Sequence, residues 1–186
     1  MRYRERGLTL VELMVTLAVA IILLAVGMPL FSSIAANNRA VTEANLFLSG
    51  FKMARSEAVK RRGLVSVCAI DNPNASTLTC SSDNADWSNG LLVFTDTTTP
   101  GSVDGTDVIV KAFVNPVSGS SVSASTTYFR FQAQGEMDAT SLVANTACSG
   151  SGSCLQLGRS GTTGGLTRCL HVLASGQIRL ERDACS

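Results

Sequence analysis

The chain has 186 residues, of which 15 are basic, 14 acidic and one a histidine, and 45% are hydrophobic. That length accommodates one domain of about 100 to 150 residues plus an anchor, and leaves no room for a second independent domain. Arg2, Arg4 and Arg6 fall in the first seven residues beside Glu5. The remainder has 12 basic and 13 acidic residues, a formal charge of −1, which excludes a generally basic nucleic-acid binder.

Behind this basic leader, Leu8 to Phe31 is mainly apolar, interrupted by Thr9, Glu12, Thr16, Gly27 and Pro29. Its 24 residues suffice, at a helical rise of about 1.5 Å each, to cross a hydrocarbon core of about 30 Å. The arginines predict a cytoplasmic N-terminal end and an outward C-terminal part. A secretory signal peptide is the alternative, but no A-x-A cleavage site follows the apolar run. Glu12 is out of place in such a segment, because a carboxylate drawn to the bilayer centre costs about 2.5 to 3.5 kcal/mol. It lies four residues beyond Leu8, about 6 Å along a helix. A cut between Gly7 and Leu8 would therefore free an α-amino group within its reach, on this subunit or a neighbour.

The run Gly7-Leu8-Thr9-Leu10-Val11-Glu12 closely resembles the type III signal of type IV pilins and type II secretion pseudopilins. The resemblance implies that a prepilin peptidase cuts after Gly7 and methylates the new amine of Leu8, and that Glu12 docks the subunit into a filament. Leu8 stands where phenylalanine is usual, and Pro29 matches a helix-bending proline common in these proteins. The implied partners are the prepilin peptidase, other minor and major pilins, the inner-membrane assembly platform and the lipid bilayer. The implied location is the bacterial inner membrane, single-pass with the C-terminal domain in the periplasm, and then a pilus or pseudopilus.

From residue 32 to 62 the apolar run becomes a stripe, with Ile34, Val41, Ala44, Leu48, Phe51, Ala54 and Ala58 mostly three and four apart. This predicts an amphipathic helix continuing the first, with Arg39–Glu43 and Glu57–Arg61 pairs on its exposed face and Gly63 as its stop. Pro29 and Asn37-Asn38 are the expected places for bending.

Residues 63–186 predict a β-rich domain. Strands are expected at Leu64–Ile70, Gly90–Thr95, Val108–Val114, Thr127–Gln132, Leu155–Leu157, Cys169–Ala174 and Gln177–Glu181, with exposed loops at Ser118–Ser125 and Ser149–Ser153. The fold class is α+β: a long N-terminal helix, its first half transmembrane, packed on an antiparallel sheet. Cys68, Cys80, Cys148, Cys154, Cys169 and Cys185 sit among loop-forming residues behind a membrane segment, which favours disulfides in an oxidising compartment. Six cysteines allow 15 connectivities. Sequential pairing is expected, because Cys148 and Cys154 enclose only SGSGS and the other two pairs close modest loops. Zinc is the competing reading, weakened by the lone His171 and the lack of a CxxC pair.

The segments ARSEAVKRRG, DWSNGLLVFTD and YFRFQAQGEMD resemble, in that order, the domain shared by FimT- and FimU-type minor pilins and the H-type minor pseudopilin of type II secretion. Within them Ala54, Ala58, Leu92 and Phe94 read as core, and Gly90 and Gly135 as turns. The resemblance implies a minor pilin in a tip or priming complex of a type IV pilus. The alternatives are a minor pseudopilin and a DNA-binding minor pilin for transformation. For the last, the family's Gly-Arg-x-Arg loop corresponds to Gly176-Gln177-Ile178-Arg179, so Arg179 and Arg182 are the candidate phosphate contacts, opposed by Glu181 and Asp183. No catalytic residue is expected. His171 lies in an alternating strand, no phosphate loop or nucleophile elbow occurs, and Asp104-Gly105-Thr106-Asp107 reads better as a turn than as a calcium loop. No cofactor or metal is expected.

Overall fold

The computed structural model describes residues 9–82, 86–117, 119–141, 152–159, 167–182 and 185, without the side chains of 26–33, 152 and 159. The chain divides into two compact units with the boundary between Asn38 and Arg39. Helix α1, Leu10–Arg61, runs through that boundary, and its backbone remains helical at Pro29. Its C-terminus is closed by Arg62 N–H on Val59 C=O (3.3 Å) and Gly63 N–H on Ala58 C=O (3.2 Å). This double closure puts the left-handed residue at Arg62, φ 52°, and not at the expected Gly63.

The expected antiparallel sheet is two sheets of four strands each. The first has the order β3 (Ile109–Val114), β2 (Gly90–Thr95), β1 (Val65–Ala69), β5 (Tyr128–Phe131). The second has the order β4 (Ser120–Ala124), β6 (Gly152–Arg159), β7 (Arg168–Leu173), β8 (Ile178–Glu181). All described pairings are antiparallel, and Val67 faces Val93 on one side and Phe129 on the other. The segment Ser118–Ser125, expected as a loop, contains β4, and Gly152–Ser153 of the second expected loop belongs to β6. A run such as SSVSA has little strand preference of its own. Pairing with β6 and burial of Val122 decide its conformation.

One core joins the helix to both sheets. Phe47, Phe51, Ala54 and Ala58 of α1 meet Val65, Val67, Leu91, Val93, Phe129 and Phe131 of the first sheet and Val122, Leu155, Leu157, Leu170 and Val172 of the second. At its centre Phe51 packs edge-on to Phe129 at 4.9 Å, and Trp87 packs edge-on to the same ring at 5.5 Å. Stacking of that kind contributes about 0.5 to 1.5 kcal/mol beyond area burial. All of β1 is buried, on both faces. Its far side carries Cys68, which with Ile70, Leu92 and Phe94 forms a second cluster under Leu78, Cys80, Val103 and Tyr128. The Cys68–Cys80 disulfide, Cα–Cα 5.6 Å, fixes that cover in place.

Glu43 departs from its expected role. It is buried and accepts from Asn115 Nδ2 at 2.6 Å, so it joins the helix to the segment after β3 instead of pairing with Arg39 on an exposed face. The other expected pair forms, Arg61 Nε to Glu57 Oε2 at 2.7 Å, with Lys60 on Oε1 at 3.2 Å. The hydrogen bonds from Arg61 and then Lys60 hold the Glu57 carboxyl below its ordinary range.

Candidate functional site

The N-terminal candidate is Gly7, Leu8 and Glu12. Gly7 and Leu8 lie outside the described residues; Glu12 occupies the first turn of α1. Thr9 Oγ1 accepts from the Glu12 backbone N–H at 3.2 Å, and Thr9 C=O accepts from Leu13 N–H at 3.1 Å. Thr9 is thus the N-cap and Glu12 the third helical residue, the Thr-x-x-Glu spacing of a capping box. This local signal was present in the sequence and missed. It puts a carboxylate at the positive end of the helix dipole, which stabilises that end by about 0.3 to 1 kcal/mol where exposed. Around it Leu10, Val11, Leu13, Met14, Leu17, Ile21 and Leu24 are all more than half exposed. Among the described residues no helix is long and apolar enough to cross a membrane, and the expected span 8–31 extends past the described residues at Leu8 and past the described side chains after Ala25.

The C-terminal candidate is the hairpin of β7 and β8. Arg179 and Arg182 are both exposed, and Arg179 Nη2 donates to Gln177 Oε1 at 3.2 Å. Asp183 lies outside the described residues. His171 faces Glu181, Nε2 to Oε2 3.5 Å, across the same hairpin. Gly176 is at φ 71° in the turn, and a Cβ there would land on the carbonyl oxygen of Gly135, itself at φ 80° in the turn after β5. Two hairpin tips therefore meet backbone to backbone. Arg55 of α1 clamps them, Nε to Gly135 C=O at 2.9 Å and Nη2 to Ser175 C=O at 3.3 Å. The glycine of the Gly176–Arg179 motif is required by packing.

Cys169 is bonded to Cys185, Cα–Cα 5.0 Å, and Cys154 is disulfide-bonded as well; its expected partner Cys148 lies outside the described residues. The sulfurs of Cys154, Cys169 and Cys185 converge within 4.8 Å. A metal needs thiolates, and bonded sulfurs do not supply them. Asp104 and Asp107 form a turn: Asp107 accepts from Thr97 N–H at 2.9 Å and Thr97 Oγ1 at 2.8 Å.

Sequence reasoning also missed a buried polar network. Asp96, fully buried, accepts from Ser66 Oγ and from Gly101 N–H at 2.8 Å, with Arg130 Nη1 at 3.9 Å. Arg130 also donates through Nε and Nη2 to Asp138 Oδ2, at 2.8 and 2.6 Å. Burial pushes the Asp138 carboxyl up, but donation from Thr140 N–H and from Arg130 outweighs it, and the group sits below its ordinary range. These groups tie strands β1 and β5 to the connection between β2 and β3 and to the segment after β5.

The profile of the family "Type II transport protein GspH" matches residues 43–170. The chain belongs to the GspH family. The "Prokaryotic N-terminal methylation motif" matches residues 2–28 of this GspH-family protein, which implies processing by a prepilin peptidase and pilin partners in general. Two crystal forms of the type IV minor pilin FimU from Pseudomonas aeruginosa share its fold, with TM-scores of 0.54 and 0.51 and 19% sequence identity. They cover 80% and 78% of this chain and 96% and 98% of their own. No curated protein matches the GspH-family chain. Family and fold are therefore those of pilin-type structural subunits.

Proposed function

We propose that the chain is a minor pilin that enters a tip or priming complex of a type IV pilus. The observation that carries this reading is the methylation motif, which opens directly onto α1, the helix that in the other unit forms the spine of a FimU-like domain. In this reading residues 1–7 are the leader and 8–31 hold the subunit in the inner membrane. Residues 32–62 carry the helix into the periplasmic domain of 63–186. The peptidase cuts after Gly7, the Leu8 amine is methylated, and Glu12 takes the amine of a neighbouring subunit as its partner.

The test compares Gly7→Val and Glu12→Ala in cells that assemble the filament. Gly7→Val leaves uncut precursor in the membrane, because a β-branched side chain blocks the peptidase. Glu12→Ala is cut normally but is depleted from sheared filaments. Wild-type protein that still begins at Met1 on N-terminal sequencing would overturn the reading, and equal recovery of Glu12→Ala in filaments would remove the role of Glu12.

A minor pseudopilin of a type II secretion system is the second reading, and the family that the chain belongs to favours it. The disulfides support the pilus instead, since staples benefit a domain displayed on a surface filament. Other minor prepilin genes beside this one would support the pilus, and a secretion operon the pseudopilus.

A further inference from the structure

A groove of about 560 Å³ lies between the last turns of α1 and strand β8, lined by Lys52, Arg55, Val59, Lys60, Gln177 and Ile178. Lys60 shares Glu57 with Arg61. Among the described residues neither Lys52 nor Arg55 has a carboxylate within ion-pair distance. The Arg55 guanidinium is nevertheless held in one place by the carbonyls of Gly135 and Ser175. The groove thus has a fixed, unneutralised cation and a second one on its rim. Its apolar wall is Val59, 49% exposed, together with the half-buried Ile178.

Strand β8 ends its sheet, so among the described residues no strand lies along its outer edge. Leu173 N–H donates to Gln177 C=O, and the antiparallel alternation then turns the backbone groups of His171 and Arg179 toward each other. The N–H and C=O groups of Ile178 and Leu180 point outward, and among the described residues no backbone bond reaches them.

We propose that this groove takes an extended acidic segment of a partner protein, added as a further strand along β8. On the face of the added strand that looks into the groove the cations select carboxylates and Val59 and Ile178 receive an apolar side chain between them, while the outward N–H and C=O groups need a partner with both donors and acceptors. A peptide backbone supplies both; a phosphodiester backbone supplies acceptors alone, so the edge favours protein over nucleic acid. The inference goes beyond the proposed function and holds for a pilus or a secretion partner alike.

The test uses the full chain in detergent micelles and fluorescence anisotropy with five labelled probes. These are a capped heptapeptide with Glu, Val and Glu at alternate positions of one face and Ser between them (the Glu-Val peptide), two forms of it N-methylated at every second residue, one in each frame, a version with Lys for Glu (the Lys-Val peptide), and a single-stranded oligonucleotide. The Glu-Val peptide binds, and Lys52→Glu weakens it by about tenfold or more, since a pair is replaced by a repulsion. N-methylation in the pairing frame and exchange of Glu for Lys both abolish binding. Equal binding of both N-methylated frames, equal binding of the Lys-Val peptide, indifference to Lys52→Glu, or binding of the oligonucleotide alone would each overturn the proposal.

Discussion

At Gly176 and Gly135 two turns touch through their backbones, and no side chain fits between them. Gly176→Ala should cost about 2 to 4 kcal/mol, from a left-handed φ that an alanine resists and from overpacking against the Gly135 carbonyl. Gly119→Ala is the control. It shares a positive φ, 73°, but has open space around it, so its cost should stop at about 1 to 2 kcal/mol. Urea midpoints of the two variants check the difference. Asp138 gives a second measurement. Its carboxyl titrates lower in the folded than in the unfolded chain, so its contribution is present above about pH 4, the unfolded value, and is lost as pH falls through the folded one. Asp138→Asn should therefore be less stable than wild type at neutral pH, and the gap should shrink on acidification below pH 4. A gap that is constant from pH 7 to pH 2 would contradict this. The sequence announced Ala54 and Ala58 as core through the apolar stripe of their helix, and Leu92 and Phe94 through the family resemblance of their segment. It could not announce Asp96 or Glu43, whose burial depends on donors 5 to 72 positions away.

The end of α1 illustrates the same limit at the level of an element. The glycine at 63 was readable as a stop, yet the ladder closes one residue earlier, on Arg62. Arg62→Gly should raise stability by about 0.5 to 1 kcal/mol, the left-handed penalty removed less the extra freedom of the unfolded glycine. Thermal unfolding of the two chains decides it. A lower midpoint for the variant would mean that the arginine side chain contributes more than its strain costs. The cover over β1 is held by a different device, one disulfide across 12 residues. Replacing Cys68 and Cys80 together by serine should cost about 2 to 4 kcal/mol and should make the segment 71–80 the first site of limited proteolysis. Strands with β-branched or aromatic runs were legible within a residue or two. Strand β4 was not, because its register is imposed by β6 and not by its own composition.

For the whole chain, the long helix and the β-rich domain follow from sequence periods read in order. The division of that domain into two sheets around one helix does not, since it depends on which strands pair at long range. Within the globular unit, which begins at Arg39, the helix runs on to Arg61, so a pull on the N-terminal end of that stretch loads the unit along the helix axis. There Phe47, Phe51, Ala54 and Ala58 are spread along the axis and buried against both sheets. Loaded this way, they resist in parallel: the helix must slip past all of them at once, and a slip of one turn would drive an aromatic ring into a space shaped for an alanine. The Arg55 clamp lies across the same slip plane, so its two carbonyl bonds break together with the core. The domain is built as a shear joint, strong along the helix and weak only to a force that peels the sheets away sideways.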